Sequence, residues 1–91
     1  MPHPGGLLPS WQLIMRTARI SNNIRRLRFE LEEMTQQQLA HGAGVTRQTI
    51  VAIEGEKYFP SLELAFRIAA VFDKPLEEVF QYEKIKTARR R

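Results

Sequence analysis

The chain has 91 residues, 43% hydrophobic and 26% charged, with a formal net charge of +4 and no cysteine. That length supplies a single core, and the missing cysteine excludes a disulfide framework, a thiolate metal site and a thiol nucleophile. Two histidines, His3 and His41, are too few for a histidine metal cluster or a His-centred triad, so the sequence points to no metal, no cofactor and no enzyme.

The charge is divided unevenly along the chain. Residues 1–28 carry +5, residues 29–83 carry −6 and residues 84–91 carry +5. Basic ends around an acidic body suit a polyanion, because neutralising phosphates releases counterions; they equally suit solubilising tails, and charge alone does not separate the two. No apolar run approaches the roughly 18 residues of a membrane span. The nearest, Leu62 to Phe72, is interrupted by Glu63 and Arg67. The first 20 residues lack a charged segment ahead of their apolar patch, which Pro9 breaks, so they do not read as a signal peptide. A soluble cytoplasmic module is expected.

In chain order, the opening stretch holds Pro2, Pro4, Pro9 and Gly5-Gly6 and cannot sustain a helix. With Trp11, Leu13 and Ile14 it reads as a flexible arm over residues 1–20, and Met15 is a plausible alternative start. Ile20, Ile24, Leu27 and Leu31 then form one helical stripe, with Ser21 to Asn23 offering caps. Thr35 opens a second helix with Gln38 in capping-box register; Leu39, Ala40 and Ala43 face inward, and Gly44 supplies a left-handed stop. Thr46 caps a third helix, with Val45 and Ile50 as a hydrophobic staple and Ile53 continuing inward until Gly55. Ser61 caps a fourth that is apolar on most sides, from Leu62 through Phe66 to Phe72, and so reads as a central core helix. Pro75 suits the first turn of a fifth, whose stripe is Leu76, Val79 and Phe80. No alternating strand pattern and no internal repeat is read anywhere. The expected fold class is all-α, a compact five-helix bundle over residues 21–82 followed by a basic tail over residues 83–91.

The informative segment is Gln36 to Gly55, QQQLAHGAGVTRQTIVAIEG. Two short helices joined at a glycine make a helix-turn-helix, with small Ala40 at the helix crossing and Gly44 in the turn. The inward set leaves Arg47, Gln48, Thr49 and Ala52 facing out at the start of the third helix. Arginine can bond guanine bidentately, glutamine adenine, and alanine or threonine can meet a thymine methyl.

On these residues the chain resembles the phage-repressor-like (Cro/Xre) helix-turn-helix regulators, particularly their small single-domain bacterial members. The resemblance rests on Asn22–Phe29 (NNIRRLRF), Met34–Ala40 (MTQQQLA), Gly44–Glu54 (GVTRQTIVAIE), Lys57–Ala69 (KYFPSLELAFRIA) and the LEEVF run ending at Phe80. It implies a sequence-specific regulator of transcription that binds double-stranded DNA as a homodimer. By position, Gln36 would bond a phosphate; Thr46, Arg47, Gln48, Thr49 and Ala52 would form the recognition face; Lys57 and Tyr58 would clamp a flanking phosphate. Arg28 would pair with Glu54. Leu76, Val79 and Phe80 present more apolar surface than a short terminal helix buries on its own body, and so are the expected dimer interface with the exposed end of the fourth helix.

Three departures from the family pattern carry expectations of their own. One extra residue between Arg28 and Met34 predicts a bulged turn and a looser Arg28–Glu54 pair. His41-Gly42-Ala43 replaces a charged pair and a larger aliphatic, and Gly42 weakens the second helix by about 1 kcal/mol against alanine. The family's glycine after the recognition helix falls at Glu56, whereas here it stands at Gly55. Two other readings accompany the regulator: a DNA-binding antitoxin of a toxin–antitoxin pair, and a helical module that binds only protein.

Overall fold

The computed structural model describes residues 18–84; the expected arm up to residue 17 and the tail from residue 85 lie outside the described residues. The elements run β1 (Ala18–Asn22), α1 (Ile24–Glu30), α2 (Gln36–Ala43), α3 (Arg47–Glu54), α4 (Leu62–Phe72), α5 (Leu76–Val79) and β2 (Phe80–Lys84). α2 packs against both α3 and α4, and α5 closes against α4. β1 and β2 pair antiparallel, with Ala18 opposite Lys84, Ile20 opposite Tyr82 and Asn22 opposite Phe80.

The five helices agree with the sequence expectation; the all-α class does not, because the two strands close the bundle. Ile20 belongs to β1 and not to the first helix, and Phe80 leaves the helix at φ −123°, ψ 135° to begin β2. The strands run across residues 20–21 and 82–83, where the sequence expectation placed its boundaries. Phe80-Gln81-Tyr82-Glu83 does alternate apolar and polar, but Phe80 also lies four residues after Leu76 and extends a helical stripe just as well. Only a partner some sixty residues away in sequence resolves that ambiguity.

The helix ends follow local chemistry. Thr35 and Gln38 form the reciprocal capping box, with N···O distances of 3.0 and 2.8 Å. The Thr46 and Ser61 hydroxyls accept from the amides of Thr49 and Leu64. Gly44 ends α2 at φ +76°, a conformation cheap only for glycine. Gly42 has a packing reason: a Cβ there would stand 3.1 Å from Val71 of α4, so the α2–α4 contact depends on a missing side chain. Pro75 sits one residue before α5 rather than in its first turn.

The core gathers Ile24 and Leu27 of α1, Leu39, Ala40 and Ala43 of α2, Ile50 and Ile53 of α3, and Leu64, Ile68, Ala69 and Phe72 of α4. α4 is not buried all round: Leu62 is 68% and Phe66 53% exposed, so its apolar surface divides into an inner and an outer face. Leu31 is likewise exposed, at the end of α1. Val79 is 0% exposed, sealed within the protomer, while Leu76 and Phe80 pack partly on the same core. The terminal stripe thus spends much of its apolar surface inside its own chain, which removes Val79 from any surface. We predict that Val79→Ala costs about 2 kcal/mol. Urea denaturation should show a lower midpoint at unchanged slope, by the same amount at low and high protein concentration.

Candidate nucleic-acid interface

α2 and α3 form the two arms of a helix-turn-helix. At the corner the amide of Val45 reaches back to the Ala40 carbonyl at 3.0 Å, and Ala40 and Ile50 are completely buried where the arms cross. On α4, Arg67 donates to the Ala43 carbonyl at 3.4 Å, steadying the end of α2, and pairs with Glu63 at 2.8 Å.

With Ile50 and Ile53 turned inward, α3 leaves Arg47, Gln48 and Val51 exposed, with Thr49 and Ala52 half-buried beside them. Thr46 caps the helix, and its hydroxyl lies 3.0 Å from that of Thr49, so these two expected reading residues also bond each other. Gln36 is half-buried at the first position of α2; Lys57 and Tyr58 stand exposed just past α3. Gln36, Arg47 and Val51 share one side of the domain: a groove joins Gln36, Gln37 and Arg47 to α1, and a second joins Gln36 to Val51 and Gly55. Leu76, Val79 and Phe80 belong to a separate region, packed against the core.

The C-terminal end of α3 is anchored twice, by Arg28 of α1 and by Asn22 just before α1. Arg28 grips Glu54 side-on, Nε to Oε1 at 3.1 Å and Nη2 to Oε2 at 2.9 Å. Its remaining nitrogen, Nη1, donates to the Met34 carbonyl at 2.8 Å. Both charged side chains are only about 15% exposed. The pair expected to loosen is therefore fully made. The extra residue is absorbed in the turn, where Glu32 and Glu33 both take left-handed φ near +55° and the Met34 amide returns to the Arg28 carbonyl at 2.8 Å. At the other end of α1, the Asn22 side-chain amide donates to the carbonyls of Ile53 and Glu54 at 3.1 and 3.4 Å. Its oxygen accepts from the Ile24 amide at 3.1 Å, so one side chain serves the end of α3 and the start of α1.

The displaced glycine has a visible consequence. Gly55 has φ −83°, a backbone conformation open to any residue, whereas Glu56 adopts the left-handed φ of +62° at a cost of about 1 kcal/mol. The Lys57 amide nevertheless closes on the Ala52 carbonyl at 2.8 Å, so the backbone after α3 keeps its course.

Sequence reasoning missed two residues here. Val51 lies four residues after Arg47 on the same helical face, a spacing that could have found it; an isolated valine was read as neither inward nor outward. Asn22 was read only as a local cap, and nothing in the sequence announces its contact with residues 31 and 32 positions away.

This arrangement defines a helix-turn-helix protein. The helix-turn-helix family model matches residues 24–79, and the chain belongs to that family, of the Cro/Xre type. It is 55% identical over 53 residues to an uncharacterized HTH-type transcriptional regulator of Methanocaldococcus jannaschii, covering 58% of this chain and 80% of the relative. A similarly described protein of Bacillus subtilis is 40% identical over 65 residues, 71% of this chain and 97% of the relative. One from Archaeoglobus fulgidus is 49% identical over 51 residues, 56% of this chain and 72% of the relative.

Breaking the Arg28–Glu54 pair strands a largely buried carboxylate. We predict that Arg28→Met destabilises the fold by about 3 kcal/mol, and that adding Glu54→Gln recovers part of the loss. A double-mutant cycle in urea checks this; strictly additive losses would show the contact to be energetically idle.

Proposed function

We propose that the chain is a DNA-binding transcriptional regulator, cytoplasmic and non-enzymatic, whose α3 lies in the major groove of double-stranded DNA. The supporting observation is electrostatic. Among the described side chains, the cations outside ion pairs are Arg25, Arg47, Lys57 and Lys74, and two of these bracket α3, on a segment 29–83 with net charge −6. An acidic body with free cations at both ends of one exposed helix approaches a polyanion by that helix. The names of the relatives, HTH-type transcriptional regulators, support the same reading.

In this reading Arg47 and Gln48 reach base edges, because the first residues of a recognition helix enter the groove. Val51 and Ala52 offer apolar contact to thymine methyl groups, and Thr49 stands beside them. Thr46 holds the helix start. Gln36, Lys57 and Tyr58 bond backbone phosphates on either side. Replacing Arg47 with alanine should cost about 1–3 kcal/mol on the chosen site and relax base preference at one position. Lys57→Ala should weaken every sequence alike and lower the salt slope by about one. Binding of both variants to matched and scrambled duplexes across a salt series tests this. Equal weakening of both duplexes by Arg47→Ala would refute base reading.

The reading extends to a homodimer, since two readers on half-sites roughly 34 Å apart gain the affinity one short helix lacks. Leu62 and Phe66 on the outer face of α4, with Phe59 just before it, are among the exposed apolar side chains, and Leu76 and Phe80 of the last helix and strand are half-buried against the core. Sedimentation at micromolar concentration should find a dimer that Phe66→Lys converts to monomer while the helical signal persists; a wild-type monomer with and without DNA would refute it.

A further inference from the structure

We propose that Arg25 is a further DNA-backbone contact, and that the channel between α1 and the starts of α2 and α3 seats a phosphodiester strand. The proposal rests on the reading of α3 above and adds a residue and a path to it.

Two open grooves, about 520 and 480 Å³, adjoin along α1 and share Arg25, Gln36 and Glu54. The first continues to Gln37 and Arg47, the second to Val51 and Gly55. Arg25 therefore borders both, on the side where the outward residues of α3 open. Charges along the channel are Arg25, Arg26, Arg28 and Arg47 against Glu33 and Glu54. Arg28 neutralises Glu54 at 2.9 Å, and Arg26 is engaged by Glu30 at 3.0 Å. Arg25 and Arg47 are left against Glu33, a positive channel on an acidic body.

Arg25 is also prepared for an anion. Its guanidinium lies over the ring of Phe29, 5.9 Å from the centroid. Phe29 is itself exposed and contributes nothing to the core, which gives this outward aromatic a purpose. At that distance the ring attracts the cation without taking up a hydrogen bond, and the planar guanidinium fork matches a phosphate bidentately. Among the described residues the remaining cation outside an ion pair, Lys74, borders a different groove with Leu27, Glu30 and Asp73, whose lining holds no residue of α3.

The test compares Arg25→Gln, Arg25→Lys and Lys74→Gln with the unaltered protein. Affinity is measured from low to moderate salt on two duplexes, one selected from a random pool and one scrambled. Both positions are exposed, and circular dichroism confirms that each of the three variants is folded. Arg25→Gln should weaken both duplexes alike and reduce the slope of log affinity against log salt by about 0.9, so that a fourfold rise in salt weakens it about 3.5-fold less than wild type. Arg25→Lys should keep the slope, and Lys74→Gln should match wild type. An unchanged slope in Arg25→Gln overturns the proposal, as does an equal loss in Lys74→Gln, which would reduce the effect to net charge. A wild-type protein that binds neither duplex overturns the reading of α3 itself, whereas wild-type binding with an unchanged Arg25→Gln slope overturns this contact alone.

Discussion

Arg28 and Glu54 lie 26 residues apart in sequence and 2.9 Å apart in space, and the seating of α3 depends on that contact. One guanidinium joins three helices: it stands on α1, holds the last residue of α3 with two nitrogens, and bonds the Met34 carbonyl at the entry to α2 with the third. Taking both charges largely out of water is expensive, so such a pair contributes less to net stability than to choosing one arrangement over its neighbours. A helix of only eight residues has little inner face of its own, essentially Ile50 and Ile53, and needs an orienting contact of this kind. The same pair neutralises the carboxylate at the end of α3.

Asn22 completes the grip from the opposite end of α1. Because it is also the last residue of β1, the sheet formed by the two ends of the described chain is joined to the last turn of α3. Arg19 of the same strand reaches Glu56 and Glu83 at 3.6 and 3.5 Å; these pairs are exposed and add little energy, but they lie along the same seam. The strands thus brace the end of α3, and the helix-turn-helix is held by elements on both sides of it in sequence.

Charge placement gives the domain a direction. Of the ten acids of the segment 29–83, Glu30, Glu54, Glu56, Glu63 and Glu83 sit in ion pairs, while Arg47 opens α3 and Lys57 follows it, both outside any ion pair among the described residues. An acidic body repels a polyanion over most orientations, so in the proposed reading it favours a single docking geometry over diffuse attachment.

Local chemistry in the sequence determined the helices and the corner. Threonine or serine caps, a glycine that alone tolerates positive φ, and apolar spacings of three and four act over a few residues, so Thr35, Gly44, Thr46 and Ser61 mark their boundaries unaided. The outward set on α3 was legible for the same reason, since the inward positions of Ile50 and Ile53 leave little choice for Arg47 and Gln48. What only the tertiary structure decided involves partners distant in sequence. β1 and β2 are strands because they meet each other; Phe66 is outward and Val79 inward because of what lies beside each. Gly42 is explained by Val71, Asn22 by the end of α3, and the extra residue after Arg28 by a turn free to absorb it while the ion pair holds. Periodicity reports that a side chain is apolar, but burial is a property of two surfaces, and the second surface here comes from elsewhere in the chain.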